Sequence, residues 1–413
     1  MGEHIILHSD ANCFYASVEM NEHPELRGTK MAVCGSTENR HGIVLTASYP
    51  AKRSGVRTGM ANWEARERCP GLICVDPHYE QYLRYSQLLR NIYLRYSDRV
   101  EPFGMDECWI DLGYLRGGTE AGLEIAEEIA NAVREEIGIT VSIGVSFTKI
   151  FAKLGSDMKK PDAITVIDRA TFREKIWPLP VSELLYVGPA TTRKLSRMGI
   201  ETIGELACMD VSCAQASFGK NGVMLWHFAN GTDFAQVMPS DFEAPIKSVG
   251  HGITCVRDLE TPYEVWRVLY ALSQDVSHRL LKYGKIASGV QITVKDKDFD
   301  WRQYQMPMPF TSVDPMEIAM TGYALFVGHY RWEKPVRALT IRGINLSSDR
   351  APTQIDMFCD YQKRERRRAL NICVDDIRRR FGDSAIFAAS LMGDLAMATD
   401  RCDQVKMPGL MYR

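Results

Sequence analysis

Residues 99–112, with the sequence RVEPFGMDECWIDL, constrain the fold more than any other stretch of the chain. Apolar residues recur on both sides of Gly104, which predicts a strand, a tight turn and a second strand. The adjacent acids Asp106 and Glu107 fall at the bend. Neighbouring side chains on a strand point to opposite faces, but at a hairpin end both can reach one cation above the strand. A solvated turn would have the same composition, so this stretch alone leaves both interpretations open.

A third carboxylate is predicted to lie at the end of the first strand. Residues 4–10 form a short apolar run that ends in Asp10, and a helix is predicted to start near residue 13. Three carboxylates suit a pair of hard divalent ions, which prefer oxygen ligands. The N–H groups at a helix start suit phosphate, and paired ions stabilise both oxygens of an in-line displacement. The sequence therefore predicts phosphoryl transfer from a triphosphate.

Further motifs follow in order along the chain. They are DANCFYASVE at 10–19, ASYPAKRSGV at 47–56, the acid pair at 106–107, SIGVSFTK at 142–149 with AKL at 152–154, KKP at 159–161, and VGP at 187–189 with GIETIG at 199–204. Together they resemble the Y-family (translesion) DNA polymerases, and within that family the bacterial DinB type. The motifs lie in the first half of the chain, and the resemblance of the second half rests on its pattern of strands and helices.

The resemblance implies a multidomain α+β fold with the right-hand arrangement of a polymerase. The palm would contain a mixed sheet with helices, the thumb a helix-hairpin-helix, and the little finger a four-stranded α/β sheet. In chain order the expected parts are palm (1–12 and 77–166), small fingers (13–76), thumb (167–238), linker (239–246), little finger (247–345) and a tail (346–413) with a possible clamp-binding peptide.

The resemblance also assigns active-site residues. Asp10, Asp106 and Glu107 would be catalytic and, with the carbonyl of Ala11, would hold two Mg²⁺ ions. The residues expected to contact the incoming nucleotide are Ala11, Asn12, Cys13, Phe14, Tyr15, Thr46, Tyr49, Lys52 and Lys160. Lys52 replaces the usual arginine and cannot make its bidentate contact. Gly104-Met105 replace the common Ser-Ile before the acid pair.

Two of these assignments compete with simpler interpretations. Tyr15 matches the steric gate, an aromatic ring that lies under the sugar and excludes a ribose 2′-hydroxyl, but adjacent aromatic residues could also simply pack on a core. We expect packing for Phe14 and the gate for Tyr15. Lys160 precedes Pro161 and matches the lysine that neutralises the β- and γ-phosphates, whereas a solvated loop would also contain such a residue.

Contacts with DNA are expected in the thumb and in the little finger. Residues 185–200 resemble a helix-hairpin-helix, in which Gly188 would permit the tight turn while Arg193 and Lys194 add charge. Such contacts position DNA without reading its sequence. In the little finger, alternation would set basic side chains along the phosphates on one face of the sheet, although a half-solvated sheet alternates in the same way. These side chains are Lys247, Lys295, Arg302 and Arg342.

The tail contains QIDMF at 354–358, which resembles a peptide that binds a sliding clamp. Gln354, Met357 and Phe358 would be its contacts. Five residues match many proteins by chance, and Phe358 could instead pack on the helix that is predicted to follow.

Composition limits the environment of the protein. The 413 residues exceed one ordinary domain, and no apolar run is long enough to span a membrane. The net charge of -2 argues against a uniformly basic surface, so local basic clusters would have to hold the DNA. The 11 cysteines include no CxxC pair, which argues against zinc and favours reduced thiols. We expect a cytoplasmic monomer without a membrane partner.

The predicted function is template-directed, error-prone DNA synthesis past damaged bases. A nucleotide would pass from a deoxynucleoside triphosphate to a primer 3′-hydroxyl, and a sliding clamp is a further expected partner. Two alternatives remain open. One is a palm-fold nucleotide cyclase, against which the helix-hairpin-helix argues. The other is an inactive adaptor for DNA or a clamp, which should have lost at least one of the three acids.

Overall fold

The structure is a computed structural model that describes residues 3–38, 40, 42–350, 360–382 and 385–397. These residues form two units. One is built from residues 3–35 and 43–244, and the other from residues 36–38, 40, 42 and those after 244. Each unit has its own sheet and its own hydrophobic core.

The first unit is organised around a five-stranded sheet. The strands of this unit are β1 (Glu3–Ala11), β2 (Met31–Cys34), β3 (Val44–Ala47), β4 (Ile73–Val75), β5 (Val100–Pro102), β6 (Glu107–Leu115), β7 (Val141–Ser146) and β8 (Ile164–Ile167). The large sheet has the order β5-β6-β1-β7-β8, and a small second sheet has the order β3-β2-β4. β1 pairs antiparallel with both β6 and β7, so its end lies in the middle of the large sheet.

Helices cover both faces of the large sheet. The helices of this unit are α1 (Phe14–Glu22), α2 (Tyr49–Arg53), α3 (Asn62–Arg68), α4 (Tyr79–Tyr93), α5 (Gly118–Glu136), α6 (Lys149–Met158), α7 (Phe172–Ile176), α8 (Pro189–Ser196), α9 (Ile203–Cys208), α10 (Val211–Phe218) and α11 (Lys220–Ala229). α5 packs on one face, where Gly122 approaches Ile5 and Val145, and α6 packs on the other, where it meets Gly144. The helices from α7 to α11 share a separate cluster of buried apolar residues.

The alternation of side chains along β1 determines what each face contains. Ile5 and Leu7 are completely buried in the main core. His8 points to the opposite face, because its Nδ1 atom lies 2.8 Å from the hydroxyl of Ser156 on α6. Asp10 is two residues further along and therefore shares the face of His8. The acid at the end of β1 thus faces α6.

The second unit contains a four-stranded antiparallel sheet backed by helices. Its strands are β9 (Ser248–Leu259), β10 (Lys285–Asp296), β11 (Trp301–Ser312) and β12 (Val336–Ser348), and its helices are α12 (Pro262–Lys282), α13 (Pro315–His329) and α14 (Tyr361–Phe381). The strand order is β11-β10-β12-β9. Leu269, Leu272 and Phe326 from the helices pack with Ile292 and Ile341 from the sheet. Among the helices of the described ranges, none is both long and apolar enough to cross a membrane.

The observed elements follow the predicted ones closely. The hairpin of β5 and β6, the first strand and the four strands of the second unit lie where the sequence places them. One difference concerns an end: β12 continues to Ser348, beyond the predicted end of the little finger at residue 345. Long apolar alternation fixes the type of an element, whereas its end depends on packing and capping.

Close packing of α6 on the sheet requires a glycine at position 144. A Cβ atom on Gly144 would lie 1.9 Å from the carbonyl oxygen of Ala152 and 2.7 Å from the nitrogen of Ser156. Both atoms belong to the backbone of α6, so a side chain could be accommodated only if the helix moved away. The position of α6 relative to β1 therefore depends on this residue.

We expect Gly144→Ala to lower the free energy of unfolding by about 3 kcal/mol or more, because the helix must shift in a close-packed interior. Gly328→Ala is the control: nothing lies within 4 Å of a Cβ atom at that helical position, so the change should be neutral or slightly stabilising. Thermal and denaturant unfolding of both variants would measure this. If Gly144→Ala and Gly328→Ala had similar free energies of unfolding, the packing of α6 on the sheet would not require a glycine at position 144.

Candidate active site

The ends of β1 and β6 bring two of the predicted acids together. In the antiparallel register, Asp10 lies directly opposite Glu107, so their side chains share one face of the sheet. Asp106 immediately precedes β6, and its carbonyl accepts a 3.0 Å hydrogen bond from the N–H of Ala11. The turn before it uses Gly104, which has a φ of 107°, a conformation that favours glycine.

Burial and mutual repulsion raise the pKa of two of these acids. Asp10 is 5% exposed, and burial together with the charge of Glu107 raises its pKa to about 6 despite nearby lysines. Burial, followed by the charges of Asp10 and Glu107, raises the pKa of Asp106 to about 7. The negative charges of these two carboxylates are therefore unfavourable at their positions, and an additional cation would stabilise them.

Glu107 differs because two side chains stabilise its charge. Although burial acts in the opposite direction, His8 and Lys153 lower the pKa of Glu107 to about 2. The Nζ atom of Lys153 lies 2.7 Å from Oε2 of Glu107 and 3.7 Å from Oδ2 of Asp10. Lys153 comes from α6, the helix whose position depends on Gly144.

Lys160 also lies at these carboxylates. Its Nζ atom is 2.7 Å from Oδ2 of Asp10 and 2.9 Å from Oδ1 of Asp157. Asp157 lies 3.2 Å from Lys153 as well, so it contacts both ammonium groups. In the sequence, Lys153 and Asp157 are distinguished only by their spacing of four residues on a predicted helix, which assigns neither of them a role.

His8 is a further residue that sequence reasoning did not assign. It is completely buried; Nε2 lies 3.2 Å from Oε2 of Glu107, and Nδ1 lies 2.8 Å from the hydroxyl of Ser156. Burial lowers the pKa of His8 to about 4, so the ring is neutral near pH 7. The available signal was its place in an apolar strand, two residues before Asp10 and therefore on the same face.

The donor set fits divalent ions. Carboxylates and a backbone carbonyl are the oxygen ligands that Mg²⁺ prefers, and the raised pKa values of Asp10 and Asp106 show that more positive charge would be favourable. Within the described ranges, no three His, Cys, Asp or Glu side chains are already gathered around one point. The ammonium groups of Lys153 and Lys160 contact the carboxylates instead.

Tyr15 is on α1, is partly exposed and lies beside the three acids. Its ring stacks on that of Tyr82, with 4.4 Å between the ring centroids and 24° between the planes. Tyr79 meets it edge-on at 6.2 Å. By contrast, Phe14 is 3% exposed and packs in the core against Tyr82, as expected for a packing residue.

The other residues around the start of α1 can offer only backbone groups to a ligand. Ala11 and Asn12 are each 2% exposed, and Cys13 is 8% exposed. Asn12 is held by Thr140 and Ser142, at 3.0 and 2.9 Å from its side-chain nitrogen and oxygen. The expected nucleotide contacts of residues 11–14 would therefore involve main-chain atoms.

The predicted contacts from the small sheet lie on β3 and α2. Thr46 is on β3 and is partly buried. The hydroxyl of Tyr49 donates a 3.3 Å hydrogen bond to the side-chain oxygen of Asn12. Lys52 is exposed, and its Nζ atom lies 5.2 Å from the centroid of the Tyr49 ring. Tyr49 is thus connected to the strand that carries Asp10.

The predicted helix-hairpin-helix differs from expectation in the backbone conformation of Gly188. Gly188 caps α8 with a φ of -83°, which any residue adopts, so the turn does not need a glycine there; Tyr186 has the unusual φ of 71° instead. Nothing would lie within 4 Å of a Cβ atom on Gly188, so the space before the helix is open. Arg193 is exposed, whereas Lys194 contacts the carbonyl of Ser217 and the ring of Phe218.

The register of the four-stranded sheet places two of the expected basic residues on one face and corrects a third. Arg342 lies opposite Gln291, which shares the face of Lys295. Arg302 lies opposite Val294, whose side chain is buried under the helices, so Arg302 is on the other face. The side of the sheet on which Arg302 lies depends on how β11 pairs with β10, because a register change of one residue moves each side chain to the other face. The sequence of β11 alone does not specify that pairing.

The remaining residues that were predicted to contact DNA or a clamp are not part of the four strands. Lys247 is exposed and immediately precedes β9. Gln354, Met357 and Phe358, the expected clamp contacts, lie outside the residues that the structure describes.

Comparisons with known proteins agree with this architecture. Residues 9–157 match the impB/mucB/samB family, residues 246–357 match the C-terminal domain of that family, and residues 183–233 match the thumb domain of DNA polymerase-iota. The solved structure of a Y-family DNA polymerase chimera is similar in fold, with a TM-score of 0.72 and 23% sequence identity. The similarity covers 83% of this chain and 98% of the chimera.

Curated relatives extend the similarity to nearly the whole chain. DNA polymerase IV of Acetivibrio thermocellus is 45% identical over 390 residues, which are 94% of this chain and 98% of the relative. DNA polymerase IV 2 of Bacillus subtilis is 34% identical and covers 98% of each chain. The chain belongs to the Y family of DNA polymerases. The predicted fold class and the predicted enzyme class, a DNA-directed DNA polymerase, are confirmed.

We expect Asp106→Asn to raise the free energy of unfolding of the metal-free protein near pH 8 by about 1 to 3 kcal/mol. An acid whose pKa rises from 3.8 to about 7 on folding binds more protons when folded, so it destabilises the fold increasingly as the pH rises through that window. Asparagine cannot ionise and removes this penalty. Denaturant unfolding in the presence of a chelator, at about pH 4 and pH 8, measures the difference.

Asp241→Asn, at an exposed position after the helices of the first unit, is the control and should change stability by less than about 0.5 kcal/mol. The gain from Asp106→Asn should be present at the higher pH and nearly absent at the lower one. A gain of equal size at both pH values would mean that charge repulsion is not its cause.

Proposed function

We propose that this polymerase extends primers on damaged as well as intact templates, with two Mg²⁺ ions held at the ends of β1 and β6. The observation that carries the proposal is the register that sets Asp10 opposite Glu107, with Asp106 beside them. Asp10, Asp106, Glu107 and the carbonyl of Ala11 would hold the ions. When bound, such ions lower the pKa of the attacking hydroxyl and stabilise the leaving pyrophosphate.

The two lysines provide the positive charge that a triphosphate requires. Lys153 and Lys160 contact the carboxylates of Glu107 and Asp10 in the structure. When those carboxylates hold metal, the ammonium groups of Lys153 and Lys160 would be available for phosphate oxygens. Asp157 contacts both lysines and would keep them beside the site. Lys52 is exposed and would act as a point charge rather than as a bidentate clamp.

Sugar selection would come from Tyr15. Its ring is partly exposed on α1, next to the strand end that carries Asp10, and Tyr82 supports it from behind. A rigid aromatic ring under the sugar leaves room for a hydrogen at C2′ but not for a hydroxyl. The other predicted nucleotide contacts would add main-chain N–H groups from the start of α1.

The remaining parts would hold DNA and limit accuracy. We assign residues 1–12 and 77–166 to the palm, 13–76 to the fingers, 167–238 to the thumb and 247–345 to the little finger. Arg193 at the helix-hairpin-helix, and Lys295 and Arg342 on one sheet face, are the basic residues best placed to contact phosphates. The fingers contain only short helices and a three-stranded sheet, which leaves little structure to close over a base pair and favours error-prone synthesis.

Asp106→Asn tests the metal site directly. We expect primer extension to fall by at least about a thousandfold, because an amide supplies no negative charge and only one ligand oxygen in place of a carboxylate. Binding of primer–template DNA, measured by fluorescence anisotropy, should remain nearly unchanged. Extension of undamaged and abasic templates by the unaltered protein is the reference. Normal extension by Asp106→Asn would refute the two-metal assignment.

Tyr15→Ala tests the gate. We expect ribonucleotides to be incorporated far more readily, by about a hundredfold or more, while use of deoxynucleotides changes little, because the steric barrier acts only against a 2′-hydroxyl. Single-nucleotide extension with both substrates gives the ratio of the two kcat/KM values. Phe14→Leu, a change in the adjacent buried residue, is the control and should leave that ratio unchanged. Equal discrimination by the unaltered and Tyr15→Ala proteins would make Tyr15 a packing residue.

The clamp peptide gives a separate prediction. Met357→Ala combined with Phe358→Ala should abolish stimulation by a sliding clamp, since loss of an aromatic anchor costs about 2 kcal/mol, or roughly thirtyfold in affinity. Extension of bare primer–template should persist. Product lengths measured with and without clamp distinguish the two effects. Undiminished stimulation would place the binding peptide elsewhere.

A further inference from the structure

The ring of Tyr15 is held from two directions. Tyr82 supports its flat face at a centroid distance of 4.4 Å. At its tip, the hydroxyl donates a hydrogen bond to the sulfur of Met105, with 3.5 Å between oxygen and sulfur. A stacked neighbour limits movement along the normal of the ring, and a contact at the hydroxyl limits sideways rotation. Together they restrict both movements.

The wall behind Tyr15 is itself anchored to α1. The hydroxyl of Tyr82 donates to the carboxylate of Glu19, which is 1% exposed and lies four residues after Tyr15 on the same helix. His78 also contacts this carboxylate, with 3.0 Å between Nδ1 and Oε1. The supporting ring therefore cannot slide relative to the helix that carries Tyr15. Tyr79 also meets the ring of Tyr15 edge-on at 6.2 Å, and the hydrogen bond to Met105 is the contact that holds its hydroxyl end.

Met105 is suited to that task. It is 4% exposed and immediately precedes Asp106, so its position is fixed by the same turn that positions the catalytic acid. Its thioether is a weak but polarisable acceptor that packs well around aromatic rings. An aliphatic residue of similar size, such as leucine or isoleucine, would offer no acceptor at this position. A tyrosine gate and a methionine at position 105 are therefore chemically matched in this chain.

We propose that Met105 is a positioning residue for Tyr15 and that this contact increases discrimination against ribonucleotides. The proposal rests on the proposed function, in which Tyr15 is the sugar gate. A ring held at both its face and its tip cannot move aside for a 2′-hydroxyl. A ring held only at its face can rotate and admit one.

The test is a double-mutant cycle on the full chain with primer–template DNA. Met105→Leu removes the acceptor at nearly constant volume, and Tyr15→Phe removes the donor and keeps the ring. The readout is the ratio of kcat/KM for a deoxynucleotide to that for the matching ribonucleotide. A general structural defect would lower both values and leave their ratio unchanged.

We expect Met105→Leu and Tyr15→Phe each to lower the ratio by about two- to tenfold, the range that the loss of one hydrogen bond supports. The double variant should be no worse than either single variant, because both remove the same contact. Met20→Leu, the same substitution at a partly buried position of α1, is the matched control and should leave the ratio unchanged. Met105→Ile, which also lacks the sulfur acceptor, should behave like Met105→Leu.

Three results would overturn the inference. They are an unchanged ratio in Met105→Leu, additive losses in the double variant, or a loss of the same size in Met20→Leu. If Met105→Leu does not fold, Tyr15→Phe removes the same contact from the other side and decides the question, since an unchanged ratio there also refutes it. Failure of the gate itself is recognised separately, by an unchanged ratio in Tyr15→Ala.

Discussion

The repulsion between the carboxylates at the ends of β1 and β6 is the constraint on which the rest of the first unit depends. Asp10 and Glu107 are directly opposed, and Asp106 lies beside them. This concentration of charge is tolerated because Lys153 and Lys160 approach the same oxygens. Lys153 can do so only because α6 packs directly against Gly144. The packing of α6 on the sheet therefore determines how the charges of the carboxylates are neutralised.

The same arrangement of carboxylates accounts for the chemistry that the site can support. These carboxylates lie close together and repel one another, which lowers stability. Divalent cations would bind them favourably, because binding relieves the repulsion. The lysines that neutralise them in the structure are the groups that we propose for binding a triphosphate. The turn before β6 also supplies Met105, which contacts the hydroxyl of Tyr15. The proposed metal site and the proposed sugar gate are thus adjacent in the chain as well as in space.

Much of this architecture could be predicted from the sequence, because strands and helices follow local periodicity and the family motifs occur in order. One error was local: Gly188 was expected to provide a special turn, yet its φ is ordinary. The other errors arose where neighbours are distant in the chain. Arg302 was grouped with Lys295 and Arg342, yet the pairing of β10 and β11 sets it on the other face. The roles of His8 and Lys153 were not anticipated, because single residues in a strand and a helix give no indication of what they face.

By itself the sequence determined the chemical character of this protein: acids at the ends of predicted strands, an aromatic pair at a helix start, and motifs that identify the polymerase family. These features are local, and short segments of sequence are sufficient to specify them. The tertiary structure alone decided which of these groups meet. Lys160 contacts Asp10 although 150 residues separate them in the chain. Tyr15 likewise contacts Met105 and Tyr82, which are far from it in sequence. Strand register and helix packing set such contacts, and both depend on the whole core rather than on any one segment.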